Sequence, residues 1–216
     1  MNAEACPTCE KTLRLCGCAD VRPLATRARV LLLQHPQEPD HDLGTARLTH
    51  LCLPTSVLRV GLSWPNLTAA LGGTADPKRW VTLYLGAGVK EDGAPRVTRA
   101  IQLVTKSGGP LPDSDAVLAG CEGLIVLDGT WSQAKTLWWR NAWLLKTRRG
   151  VLRPSRPSMY GRLRREPRRE CLSTLESVGL ALTAMGEDPA VEEGLREVFA
   201  GLLARVRVRP PAPELD

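Results

Sequence analysis

The sequence predicts an α/β fold: a mostly parallel sheet with helices on both faces, preceded by a small cysteine-rich knuckle. Three observations lead there. Short uninterrupted apolar runs recur, the clearest being residues 28–33 (ARVLLL) and 123–127 (GLIVL). Strands covered on both faces read this way, without the alternation of a half-exposed sheet. The runs alternate with helix-length segments, as parallel strands joined by crossover helices do. Finally, four of the seven cysteines fall within the first twenty residues.

Taken in order, residues 1–22 form the knuckle, 23–208 the α/β domain and 209–216 a Pro-rich tail. The knuckle reads CPTCEKTLRLCGC, a C-x2-C-x6-C-x-C spacing of Cys6, Cys9, Cys16 and Cys18. Four thiolates so close together can close a tetrahedral site, and Zn²⁺ is the commonest ion in such a set. The site is structural, because a closed tetrahedron leaves no open position for chemistry. A pair of disulfides is the competing reading. Strand 28–33 is followed by a helix over 43–52. Residues 61–80 hold Gly61, Pro65, Gly72, Gly73 and Pro77 and read as mostly loop. Strands are expected at 80–85, 101–105 and 123–127. Helices are expected at 132–145, 171–185 and 189–206.

Composition excludes several classes. With 43% hydrophobic residues the chain has enough material for a core, so it is not disordered. No apolar run approaches the length of a membrane span, and the N-terminus lacks the basic-then-apolar pattern of a secretory signal. Cys52, Cys121 and Cys171 stand alone in apolar or helical surroundings, which suits free thiols in a reducing cytoplasm. No protein partner is legible, and monomer and homodimer both stay open.

The formal net charge of +6 is unevenly spread. Between Arg140 and Glu170 there are eleven basic residues against two acids, so this stretch carries +9 and the remainder −3. Ten of the eleven are arginines, whose planar forks suit phosphates and base faces. Tyr160 lies among them and is a candidate for stacking on a splayed base. The competing reading is a solvated basic face.

Ligands of parallel sheets bind beyond the carboxyl ends of the strands, which singles out QHPQEPDHDLGTAR (34–47) and DGTW (128–131). Asp128 ends a strand, Gly129 permits a sharp turn, and Thr130 with Gln133 forms a T-x-x-Q capping box. Ser173 and Glu176 form an S-x-x-E box before a second helix. Either box can be a well-made helix start and nothing more. Either can also present free helix-start amides to a carboxylate or phosphate. Four of the six Trp lie at 131, 138, 139 and 143. Spacings of seven and four put partners on similar helix faces. Trp138, Trp139 and Trp143 are therefore expected to pack in the core, with Trp131 at the site beside Asp128.

DGTW (128–131), YGRLRREP (160–167), LSTLE (172–176), the leading cysteine cluster and QHP-x-E-x5-GTAR (34–47) together resemble the DTW-domain family. The resemblance runs in order from Cys6 to about Leu182, although residues 64–120 carry none of its motifs. It implies a SPOUT-like α/β fold with a knotted C-terminal cofactor region. It also implies transfer of the 3-amino-3-carboxypropyl group of S-adenosylmethionine to N3 of a tRNA uridine, with 5′-methylthioadenosine released. On this reading Asp128 and Trp131 are catalytic, Asp128 as general base or orienting carboxylate. His35, Glu38, Thr45, Arg47, Asp128, Gly129, Thr130, Ser173, Thr174 and Glu176 surround the co-substrate. Lys135, Tyr160, Arg162 and Arg164 meet the RNA. Two other readings stand beside it: a SPOUT-like RNA methyltransferase using the same co-substrate, and a non-enzymatic zinc-containing RNA-binding module.

Overall fold

In the computed structural model, which describes residues 5–38, 42–83, 100–161, 163 and 172–208, the strands are, in chain order, β1 (Arg29–Gln34), β2 (Val57–Val60), β3 (Trp80–Leu83), β4 (Ile101–Val104), β5 (Gly123–Asp128) and β6 (Arg148–Leu152). They form one sheet ordered β2-β1-β5-β3-β6-β4. All neighbouring pairs are parallel except β4 with β6. The helices are α1 (Ala46–Cys52), α2 (Leu67–Leu71), α3 (Ser114–Ala119), α4 (Trp131–Arg140), α5 (Thr174–Ala184) and α6 (Pro189–Arg207). Among the described residues, no helix is long and apolar enough to cross a membrane.

The two continuous apolar runs are the central strands β1 and β5, and their successive side chains feed two different cores. Val30, Leu32, Leu124 and Val126 join one apolar cluster with α5, α6 and the knuckle. Leu31, Leu33, Ile125 and Leu127 join the other, with α2, α4 and Trp80. Period-two geometry divides a run of identical character between two faces, so the sheet is covered on both, as the sequence predicts.

The join between β3 and β5 depends on a glycine. Gly123 lies opposite Trp80, and a Cβ there would sit 2.5 Å from the Trp80 ring. Because Trp80 is 1% exposed it has no room to retreat. Gly123→Ala is therefore expected to destabilise the fold by about 1–3 kcal/mol, the usual range for overpacking. Urea denaturation with an unchanged slope and a lowered midpoint would show it.

The knuckle is docked, not appended. Cys6, Cys9 and Leu15 belong to the same apolar cluster as Phe199 and Leu202 of α6. Arg205 of α6 donates to Asp20 at 2.5 Å, and Arg14 donates to the carbonyls of Arg205 and Val208.

Several elements differ from the expectation. The helix expected over 132–145 ends at Arg140 and a 3-10 turn follows over Ala142–Lys146. Between them Asn141 leaves helical geometry (φ −120°, ψ 68°) and is 1% exposed. Its side chain donates to the carbonyls of Leu62 and Leu137 and accepts from the Trp64 amide, so tertiary bonds replace the helix ladder there. The break overturns one packing assignment. Trp143 is buried and Trp138 half-buried, but Trp139 is 79% exposed. Strands β2 and β6 and helices α2 and α3 are additions to what the sequence predicts.

Candidate functional site

The site lies where β1 and β5 end together. Gln34 and Asp128 are register partners, each 5% exposed. Gln34 Nε2 donates to Asp128 Oδ2 at 2.8 Å, and the Thr174 hydroxyl donates to Oδ1. The His35 amide donates to the Asp128 carbonyl at 3.0 Å, locking the two strand exits to each other. One acidic side chain is thus held through both oxygens, by residues 94 and 46 positions away.

Two helix starts flank these strand ends, and they differ. Gly129, at φ +149°, turns the chain out of β5 into α4. A Cβ there would meet Gln133 at 2.9 Å and the His35 Cβ at 3.4 Å, so only glycine fits. The Thr130–Gln133 capping box forms as expected, and Thr130 is exposed. This helix start faces solvent.

The Ser173–Glu176 box also forms but is closed. Both residues are 3% exposed. The first-turn amides of Leu175 and Glu176 donate to the hydroxyls of Thr45 and Ser173. The Glu176 carboxylate accepts from the Ser173 amide and hydroxyl, from the Ser158 hydroxyl and from the Met159 amide. Of the 173–176 motif, Thr174 is the member turned to Asp128. Ser173, Glu176 and Thr45 anchor α5 behind it.

His35 is half-buried beside Gly129, and its Nδ1 accepts from the Gln37 amide. Glu38 is 2% exposed. Arg47 is turned toward the knuckle, where it pairs with Glu10. Lys135 is exposed on α4. Tyr160 does not offer a face to a base: it is 2% exposed, meets Phe199 edge-on at 4.9 Å and donates its hydroxyl to the Leu43 carbonyl. Arg162 and Arg164 lie outside the described residues.

The sequence gives no sign of Lys11. It is a knuckle residue, yet only 6% exposed, and its ammonium lies within electrostatic reach of Asp42, Cys9, Asp128 and Glu38. Burial lowers its pKa from the ordinary lysine value, and those negative groups oppose the shift. Of the two basic residues between the second and third cysteines, Lys11 is thus an inward-facing charge at the site, while Arg14 bonds α6.

The four knuckle sulfurs lie within 4.8 Å of one another. Cys6–Cys18 and Cys9–Cys16 are each 3.7 Å apart. A tetrahedron with zinc–sulfur bonds of about 2.3 Å has sulfur–sulfur edges of about 3.8 Å, so the cluster has the dimensions for one such ion. Glu10, at φ +60°, bends the turn after Cys9. The amides of Cys9 and Thr8 hold the Cys6 thiol down to about 6, while burial pushes Cys18 up. The cluster already favours one thiolate, the form that ligates metal. Elsewhere burial pushes the Cys52 thiol up to about 11 and also raises that of Cys121, as suits inert core thiols. Cys171 lies outside the described residues.

The chain is similar to proteins named tRNA-uridine aminocarboxypropyltransferase 2 in three animals. Identity is 29% over 192 residues for the mouse protein, 26% over 203 for that of Macaca fascicularis and 28% over 196 for that of Drosophila melanogaster. Each alignment covers 88% of this chain. It covers 59% of the mouse and macaque proteins and 70% of the fly protein, so the chain spans about three fifths of the length of the two mammalian relatives. No solved structure matches it. The DTW domain family matches residues 3–207, which takes in the knuckle, both strand-end motifs and α6, and the chain belongs to that family.

Proposed function

We propose that this protein is a tRNA-uridine aminocarboxypropyltransferase, attaching the 3-amino-3-carboxypropyl group of S-adenosylmethionine to N3 of a uridine. The carrying observation is the Asp128 carboxylate, fixed through both oxygens at paired strand ends in a DTW-family chain. S-adenosylmethionine, when bound, supplies the activated aminocarboxypropyl group and leaves as 5′-methylthioadenosine.

The donor set suits such a ligand. The open start of α4 attracts a carboxylate, and the acidic side chains of Asp128 and Glu38 favour an ammonium or sulfonium. Gly129, Thr130 and His35 line that opening. Which carbon of a sulfonium is transferred depends on which one faces the nucleophile, so holding the carboxylate decides the product. Asp128 takes the N3 proton, because uridine N3 is a poor nucleophile until that proton leaves. Gln34 and Thr174 keep the carboxylate aimed while it does so. Trp131, half-buried in the first turn of α4, walls the reacting atoms. Lys135, Arg162 and Arg164 bind RNA phosphates, the four knuckle thiolates hold one structural Zn²⁺, and the free thiols suit a cytoplasmic enzyme.

The test is incubation of the purified protein with bulk tRNA and S-adenosylmethionine, followed by nucleoside mass spectrometry. An aminocarboxypropylated uridine supports the reading. A methylated nucleoside makes the protein a methyltransferase, and RNA binding without any new nucleoside makes it a binding module.

A further inference from the structure

Trp139 is a large aromatic side chain, 79% exposed, in the last turn of α4. Its place on that helix relates it to the site. Residues 131, 135 and 139 follow at intervals of four, so each is turned about 40° from the last and lies about 6 Å further along the axis. The buried Ala134 and Leu137 fix the opposite, core-facing side. Half-buried Trp131, exposed Lys135 and exposed Trp139 therefore form one solvent-side stripe, leading about 12 Å away from the strand ends that hold Asp128.

The segment that carries this stripe holds one sign of charge. No acidic residue occurs between Asp128 and Glu166. Arg140, Lys146 and Arg148 are exposed. Arg149 lies over the neighbouring Trp138 ring, 5.6 Å from its centroid. Half-buried Trp138 already has the core and a guanidinium for neighbours, whereas Trp139 stands out into solvent.

An exposed indole among cations, with no nearby acid in sequence, matches the chemistry of an unpaired nucleic-acid strand: bases stack on the ring while phosphates meet the cations. We propose that Trp139 is a stacking platform for an unpaired base of the RNA substrate, flanked by Lys135 and Arg140, at a fixed distance from the uridine presented to Asp128. The platform rests on the tRNA reading above and adds to it a second base contact outside the reaction centre. The uridine is selected by its reach from a stacked neighbour as well as by its own edge.

The experiment measures the dissociation constant for bulk tRNA, at several salt concentrations, for the unsubstituted chain and for Trp139→Ala, Trp139→Phe and Lys135→Gln. Trp139→Ala is expected to weaken binding at least about fivefold, the low end for one lost stack. Its salt slope should stay unchanged, because the indole carries no charge. Trp139→Phe should retain most of the affinity. Lys135→Gln should instead reduce the slope by about one, the signature of a phosphate contact. Tryptophan emission should fall on RNA addition, and less so in Trp139→Phe. Because Trp139 is exposed, an unchanged melting temperature in its variants will confirm that they fold.

Equal tRNA affinity in the unsubstituted protein and Trp139→Ala overturns the platform and leaves the proposed function standing. Loss of a dimer in sedimentation with unchanged tRNA affinity also overturns it, showing a second copy on this face. Unsubstituted protein that binds no tRNA overturns both proposals together.

Discussion

Asp128→Ala is expected to lower the proposed aminocarboxypropyl transfer by about 10²–10⁴-fold, the range for losing a general base. The substitution also strands two donors in a nearly buried place, the Gln34 amide and the Thr174 hydroxyl. Each unsatisfied group costs about 1–3 kcal/mol, so some lost activity would reflect lost fold. Asp128→Asn separates the two effects. Its carbonyl oxygen still accepts from Thr174, and its amide faces the Gln34 amide, leaving one donor–donor conflict in place of two stranded donors. Transfer should fall about as far as in the alanine variant while the urea midpoint recovers part of the difference. Single-turnover formation of the modified nucleoside, with both variants checked for cooperative unfolding, provides the comparison. Wild-type turnover in a folded Asp128→Ala protein would remove the proposed role.

Removing metal from the knuckle is expected to have the second large effect. The four sulfurs have the spacing of a closed tetrahedral site, and the loop that carries them extends beyond local structure. Leu15 is buried in the main apolar cluster, Glu10 pairs with Arg47, and Lys11 faces the carboxylates of the site. Without an ion four thiols are left to crowd one another, and the turn loses what closes it. Chelation, or Cys9→Ser, should lower the melting temperature by about 10 °C or more. That corresponds to about 4 kcal/mol in a chain of this size, where each kcal/mol moves the midpoint by about 2–4 °C. Transfer activity should be lost alongside, since Lys11 moves with the knuckle. Metal analysis of the purified protein should find about one zinc per chain. Absence of metal together with a melting curve indifferent to chelator would exclude a structural ion.

Much of this arrangement was legible in the sequence because β1 and β5 are built around the unbroken apolar runs 30–33 and 124–127. Their exits carry Gln34 and Asp128, and position after a buried strand is what marks those residues. The capping boxes were legible for the same local reason. What stayed hidden depends on tertiary partners. β6 begins with two arginines and contains Gly150, so it lacks an apolar signature; in the sheet Gly150 is squeezed between Val81 and Ile101. β2 is a half-exposed edge of four residues. Trp139 looked like core because four-residue spacing to Trp143 implies a shared face, which holds only while the helix continues. Asn141 ends it for reasons seated in Leu62 and Trp64, nearly eighty positions earlier. The closed state of the Ser173 helix start was equally invisible, because Thr45 reaches it from another motif.

Glu176 has one more consequence. Its carboxylate holds the Met159 amide and the Ser173 amide together, so the chain departs from this group and comes back to it. The group thereby keeps the start of α5, and Thr174 with it, in place beside Asp128. Loss of this one carboxylate frees both amides at once and loosens α5, so the aim of Asp128 depends on a residue two positions beyond the one that bonds it.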